Sequence, residues 1–310
     1  MARLVESEKQ KLLNLPRLLR RRVKGQNHAI TALSEAVLRS RSGIKTTHRP
    51  IGSFLFLGTT GVGKTEVARS LAEALFNSEN NMVRLDMSEY KERYAISKLI
   101  GSAPGYVGYE KGGTLTEAVR HRPFSIILFD EIEKAHTDVI NLLLQIMDYG
   151  QLTDSLGKKI DFRNTIIIMT SNVGSDQLLA GVNAQAQIKK QISRAFKPEL
   201  INRIDNVIIF NTLPKPVVRQ IIDLELEKLS QRVMHTKQIK VEFDPTVRDQ
   251  VLEAGYSKEF GARPIKRFIE QNIETVIASA LVREELRPKV RYLVWFENQE
   301  FYVDLAAKLN

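Results

Sequence analysis

Within residues 58–65, GTTGVGKT, four positions have the types and spacing that phosphate chemistry needs. Gly58, Gly63, Lys64 and Thr65 fit G-x-x-x-x-G-K-[ST], a loop whose small residues let backbone N–H groups turn toward an anion. Thr59, Thr60, Gly61 and Val62 complete it. Lys64 has the reach and charge for the β- and γ-phosphates of a nucleotide, and the Thr65 hydroxyl suits Mg²⁺. A second cluster is SIILFDE (125–131), an apolar run ending in two adjacent carboxylates, Asp130 and Glu131. Asp130 can belong to the Mg²⁺ shell while Glu131 polarises a water for attack on the γ-phosphate. A third run, TIIIMTSN (165–172), ends on Asn172. Its amide can accept from and donate to that water without titrating. Asn also caps helices and turns, and the residues alone leave both roles open.

Such groups need a scaffold that presents strand ends. Five short apolar runs supply candidates: SFLFL (53–57), MVRLDM (82–87), SIILF (125–129), TIIIM (165–169) and VIIF (207–210). Most lack polar alternation, as expected of strands buried on both faces. Helical patterns lie between them, KTEVARSLAEALF (64–76) and DVINLLLQIMD (138–148) among them. This alternation predicts an α/β fold with a parallel sheet, and ligands collect at the C-terminal edge of such sheets. The texture changes at NTLPKP (211–216), after which a helical pattern spans 217–234. RYLVWF and EFYVDL, flanking ENQ, read as a hairpin. The predicted domains are a large nucleotide-binding domain, 1–210, and a small α+β domain, 211–310.

The chain of 310 residues is 43% apolar and 26% charged, and it carries no cysteine, which excludes disulfides and thiolate metal sites. No apolar stretch approaches a bilayer span, and MARLVESEKQ lacks the apolar core of a signal peptide. A cytoplasmic protein is expected. The net charge of +10 invites a nucleic-acid reading. The bases are interleaved with acids, however, except at RLLRRR (17–22), which reads as one solvated helix face.

In order along the chain stand RRVKGQ, GTTGVGKT, ILFDEIEKAH, TSNVG, FKPELINRID and FGARPIKRFI. Together they resemble the second ATPase module of the Clp family of AAA+ unfoldases, over about residues 3–305. The resemblance implies a P-loop AAA+ large domain with a five-stranded parallel sheet and a small C-terminal α+β domain. It implies ATP/ADP and Mg²⁺ as cofactors, with Lys64 and Thr65 as the Walker A pair, Asp130 and Glu131 as the Walker B pair and Asn172 as sensor 1. Arg203 takes the arginine-finger position, serving a neighbouring subunit's ATP, and Arg263 takes sensor 2. Val23 and Lys24 lie in the segment that meets adenine. From the residues alone, Arg203 equally suits a surface ion pair with Asp205.

GSAPGYVGYEKGG (101–113) lies between the second strand and the Walker B acids. It resembles the family's substrate-gripping pore loop, with Gly105, Tyr106, Val107 and Gly108 as the contacting residues. An aromatic ring gives contact area to any polypeptide without a sequence match. A tyrosine packed beneath a turn is the plain alternative. GQLTDSLGKKIDF (150–162) resembles a second pore loop, with Thr153 and Asp154 near its tip. The resemblance implies a homo-oligomeric ring, a hexamer, acting on unfolded or aggregated polypeptide. An Hsp70-type chaperone would join through segments outside this sequence. After sensor 1, SDQLLAGVNAQAQIKKQ is a poor match to the loop that docks a ClpP-type peptidase, which favours the ClpB-like disaggregase branch over a protease-coupled one. The sequence starts as Clp second modules start, which suggests an excised module, with AAKLN as added residues. A DNA-remodelling AAA+ ATPase is the rival class, and a module that binds nucleotide only to hold a ring together is a third.

Overall fold

The computed structural model describes residues 6–42, 48–102, 112–175, 185–257 and 260–306. The chain falls into two compact units, Met1–Gly58 with Gly63–Asn211, and Thr212–Asn310 with Thr59–Val62.

The first unit opens with two helices, α1 (Glu6–Arg22) and α2 (Asn27–Arg41). Its sheet contains β1 (Gly52–Leu57), β2 (Met82–Asp86), β3 (Ile126–Asp130), β6 (Ile166–Ser171) and β7 (Asn206–Ile209), all parallel, in the order β2-β3-β6-β1-β7. The five expected apolar runs are these five strands. β1 and β6 are buried at all six positions, which suits central strands covered on both faces. The two-residue period sends Leu55, Leu57, Ile127, Phe129, Ile167 and Met169 into one core. There they meet Leu143 and Ile146 of α6 (Thr137–Tyr149). Phe56 packs on Phe210 with ring centroids 5.0 Å apart. Three helices link the strands before α6: α3 (Lys64–Phe76), α4 (Ile96–Ile100) and α5 (Thr114–His121).

RLLRRR is not simply a solvated face. Leu19 is fully buried on α1, and Arg22 binds three carboxylates, those of Glu66, Glu79 and Glu73. Helical period divides the run, so one side of the turn is core and the other meets acids on and beyond α3.

GQLTDSLGKKIDF forms an antiparallel hairpin, β4 (Gln151–Thr153) and β5 (Lys159–Asp161), in which Leu152 pairs with Ile160. Asp154 begins the turn between the two strands, near the tip as expected. It is buried, and Oδ1 accepts from the backbone N–H groups of Leu156 and Lys158 at 2.9 and 2.8 Å. A carboxylate that satisfies its own turn is a folding element.

The second unit is built on the helix Lys215–Lys237, which buries Val218, Ile222, Leu226, Leu229 and Val233. Pro214 directly precedes it and Pro216 sits in its first turn, where a missing N–H costs no helical bond. The expected hairpin is present as β9 (Arg291–Glu297) and β10 (Glu300–Leu305), with Trp295 stacked on Tyr302 at 5.6 Å. A strand the sequence did not announce, β8 (Lys240–Phe243), pairs parallel to β9 and makes the sheet three-stranded.

Candidate functional site

The strand order decides which loops meet. β6 lies between β1 and β3, so the loops leaving three adjacent strands open at one sheet edge. After β1 the chain turns through Gly61 and Gly63, at φ +74° and +105°. A side chain is disfavoured in that region, and glycine is not. α3 then begins at Lys64, with its unpaired N–H groups and positive dipole end at the loop. Lys64 is only 9% exposed. Its ammonium donates to Asn172 Oδ1 at 2.7 Å, to the Ser171 carbonyl at 3.3 Å and to the Gly58 carbonyl. Two residues 108 apart in sequence are thus directly bonded. Burial pushes the ammonium down to about 8, although Glu133, Asp130 and Glu131 pull the other way.

The two acids after β3 are fixed differently. Asp130 receives the Thr170 hydroxyl on Oδ1, and on Oδ2 the guanidinium of Arg84, whose Nε donates at 3.0 Å. Glu131 stands in the left-handed region, φ +58° and ψ +54°. For a non-glycine residue that conformation costs on the order of 1–3 kcal/mol, so neighbours must hold it. Its N–H donates to Thr170 Oγ1 at 3.0 Å, and its carbonyl accepts from Lys134 N at 2.9 Å. Its carboxylate receives the Lys134 ammonium, a bond that raises the proton affinity of that lysine. Glu133 Oε1 accepts the backbone N–H of Asn172 at 3.1 Å, which ties the β3 turn to the end of β6.

These donors fit a nucleotide with its cation. Lys64 keeps a buried ammonium among carbonyl and amide oxygens, which a phosphate oxygen can replace as acceptor. Thr65 and Asp130 offer only oxygen, as Mg²⁺ prefers. Among the described residues no group of three or more His, Cys, Asp or Glu gathers as a metal cage. Mg²⁺ commonly takes one or two protein oxygens and completes its shell with phosphate and water.

Residues 49–207 match the model of the AAA domain (Cdc48 subfamily), slightly more than half of the chain. The chain belongs to the AAA family. Residues 213–294 match the C-terminal, D2-small domain of ClpB protein. Chaperone protein ClpB of Bacillus cereus is 48% identical over 311 residues, covering 98% of this chain and 36% of that relative. Chaperone protein ClpB of Nitratidesulfovibrio vulgaris is 50% identical over 295 residues, covering 93% of this chain and 34% of its own length. That of Staphylococcus epidermidis is 50% identical over 294 residues, covering 92% and 34%. The chain spans about a third of the length of the curated relatives it matches. The two domain matches and these relatives bear out the resemblance to a Clp second module, and they mark this AAA chain as an ATPase.

Elsewhere in the AAA module, the other nominated residues are distributed as follows. Val23 is buried, and its Cγ1 lies 3.8 Å from where a Cβ on Gly63 would sit, so the α1–α2 turn backs the glycine loop after β1. The Lys24 ammonium donates to the Arg20 carbonyl at 3.1 Å, at the end of α1. Arg203 forms an ion pair with Asp148. Its Nε donates to Asp148 Oδ2 at 2.6 Å and its Nη1 to the Glu199 carbonyl at 2.8 Å. Asp205 Oδ2 accepts from Ser53 N of β1 at 2.9 Å. Arg263 is the first residue of the helix Arg263–Phe268 in the second unit, with which Thr59–Val62 also group. Gly105, Tyr106, Val107 and Gly108 lie outside the described residues.

Sequence reading missed Thr170, Glu133, Arg84 and Asp148. Two of them left a signal. Thr170 precedes Asn172 by two, the spacing of one strand face, and Arg84 is the one basic residue of MVRLDM.

Proposed function

We propose that this chain is the ATP-hydrolysing motor module of a ring-forming unfoldase of the disaggregase type, which pulls polypeptide through a central pore. The 2.7 Å bond between Lys64 and Asn172 beside the Asp130–Glu131 pair carries the reading, because it gathers three separate sequence elements at one sheet edge. We read the chain as a large domain to about 210 and a small one from 211 onward. Gly58–Thr65 would cradle the phosphates, with Lys64 on the β- and γ-oxygens and Val23 and Lys24 beside the adenine. Thr65 and Asp130 would hold Mg²⁺, which neutralises charge across the phosphates. Glu131 takes up the water proton and Asn172 orients that water, while Arg263 couples nucleotide state to the small domain. Arg203 completes a neighbour's site, so hydrolysis requires the assembled ring, a hexamer in this reading. Gly105–Gly108, with Tyr106 foremost, grip unfolded or aggregated substrate. An Hsp70-type partner would engage segments outside this sequence, and a cytoplasmic setting accompanies the reading. Among the described residues no helix is long and apolar enough to cross a membrane.

ATPase measurements with casein or duplex DNA test the proposal, with Glu131→Gln alongside. Casein stimulation, and an ATP-bound oligomer trapped by Glu131→Gln, are expected. DNA stimulation without casein stimulation would assign the chain to the DNA-remodelling class, and unaltered turnover in Glu131→Gln would remove the assigned base.

A further inference from the structure

We propose that Thr170 is a positioning residue for ATP hydrolysis, its single hydroxyl holding the Asp130 carboxylate and the backbone of Glu131 at once. The inference rests on the roles given above to Asp130 and Glu131. Thr170 is 1% exposed on β6, opposite Phe56 of β1 in the register. Its hydroxyl has one proton and two lone pairs. An ionised carboxylate only accepts and an amide N–H only donates, so the direction of both bonds is fixed. Thr170 O–H donates to Asp130 Oδ1, and Thr170 Oγ1 accepts from Glu131 N.

Each bond does separate work. The first opposes the pull of Arg84 on the other oxygen of Asp130, so the carboxylate is held from both sides. The second stabilises the left-handed backbone of Glu131, where the chain leaves β3. Both start from the strand that ends in Ser171–Asn172, whose carbonyl and amide receive Lys64. Thr170 therefore joins the acids to the strand that carries the lysine's partners. Neither the Asp130 carboxylate nor the Glu131 backbone can shift against β6 without breaking a bond to this hydroxyl.

Thr170→Val keeps volume and β-branching and removes only the hydroxyl; Thr170→Ser keeps the hydroxyl and removes the methyl. In the full chain, assembled, Thr170→Val should lower kcat by roughly 100-fold, the scale of losing one preorganised donor. The KM for ATP should stay within about 3-fold, because the phosphate loop is untouched. The Mg²⁺ concentration that half-saturates binding of a fluorescent ADP should rise, since Asp130 is left to Arg84. Thr170→Ser should restore kcat to within about 10-fold of the parent. Should Thr170→Val not fold, Thr170→Ala must show the same split of kcat from KM. A Thr170→Val protein with parent kcat and Mg²⁺ dependence overturns the inference, as does Thr170→Ser failing as badly as Thr170→Val. Glu131→Gln in the same assay separates the failures. If it turns over normally, the role of Glu131 falls. If it is inert while Thr170→Val is active, only the role of Thr170 falls.

Discussion

The guanidinium of Arg203 is bonded through Nε to Asp148 Oδ2 at 2.6 Å, at the last turn of α6. Arg49 approaches the other oxygen of that carboxylate at 3.7 Å. With Nε on Asp148 and Nη1 on the Glu199 carbonyl, the planar fork leaves Nη2 as a donor for a phosphate presented from elsewhere. Arg203→Ala is expected to bind ATP like the parent and to lose about 10³-fold in turnover in the assembled ring, the lower end of arginine-finger effects. Unchanged turnover in an assembly confirmed by sizing would refute the assignment.

Lys64 supplies a pH dependence whose sign follows from its burial. Its free-protein value of about 8 must rise when phosphates surround it. Well below pH 8 the ammonium is charged with or without ATP, no proton is taken up on binding, and affinity is level with respect to this group. Above pH 8 the free protein has lost the proton that the complex retains, so affinity should fall about tenfold per pH unit. Calorimetric titration from pH 7 to 9.5 measures the slope. Lys64→Arg stays charged throughout and should lose the slope, whatever its absolute affinity. A level parent curve would show that burial does not bring the free ammonium down to about 8.

Gln26 closes the first unit on itself. Its amide donates to the Asn211 carbonyl at 2.8 Å and accepts the Asn211 N–H at 3.0 Å, and it is 1% exposed. Gln26→Ala leaves the Asn211 N–H and carbonyl without their side-chain partner and opens a void where the buried amide lay. A loss of about 2–3 kcal/mol in unfolding free energy is expected, read as a lower urea midpoint with unchanged slope. A variant as stable as the parent would mean that water satisfies Asn211.

Tyr106→Ala tests the pulling reading apart from the chemistry. ATPase activity should remain within about 3-fold of the parent, while threading of an unfolded reporter is lost in an assembly that otherwise threads. Threading that survives would remove the grip from Tyr106.

Much of the site was legible because its parts are local. The phosphate loop is a strand, a glycine turn and a helix within a few residues, and the Asp130–Glu131 pair ends an unbroken apolar run. The hairpin Arg291–Leu305 could be read for the same reason, its partners lying either side of a two-residue turn. β8 could not: KVEF is four residues of mixed polarity, and its partner β9 lies some fifty residues on. RLLRRR misled because composition counts charges without naming their partners, and the acids that bind Arg22 lie on and beyond a later helix.

The sequence by itself determined the five strands of the first sheet, the glycine turn after β1 and the hairpin near the end, since backbone sterics and hydrophobic period act over a few neighbours. Only the tertiary structure decided that β6 enters between β1 and β3, bringing Asn172 to Lys64 and Thr170 to both acids. Burial patterns report that a strand has two covered faces and say nothing of the strands at its edges. That choice belongs to pairing across more than a hundred residues, where only the assembled sheet supplies the partners.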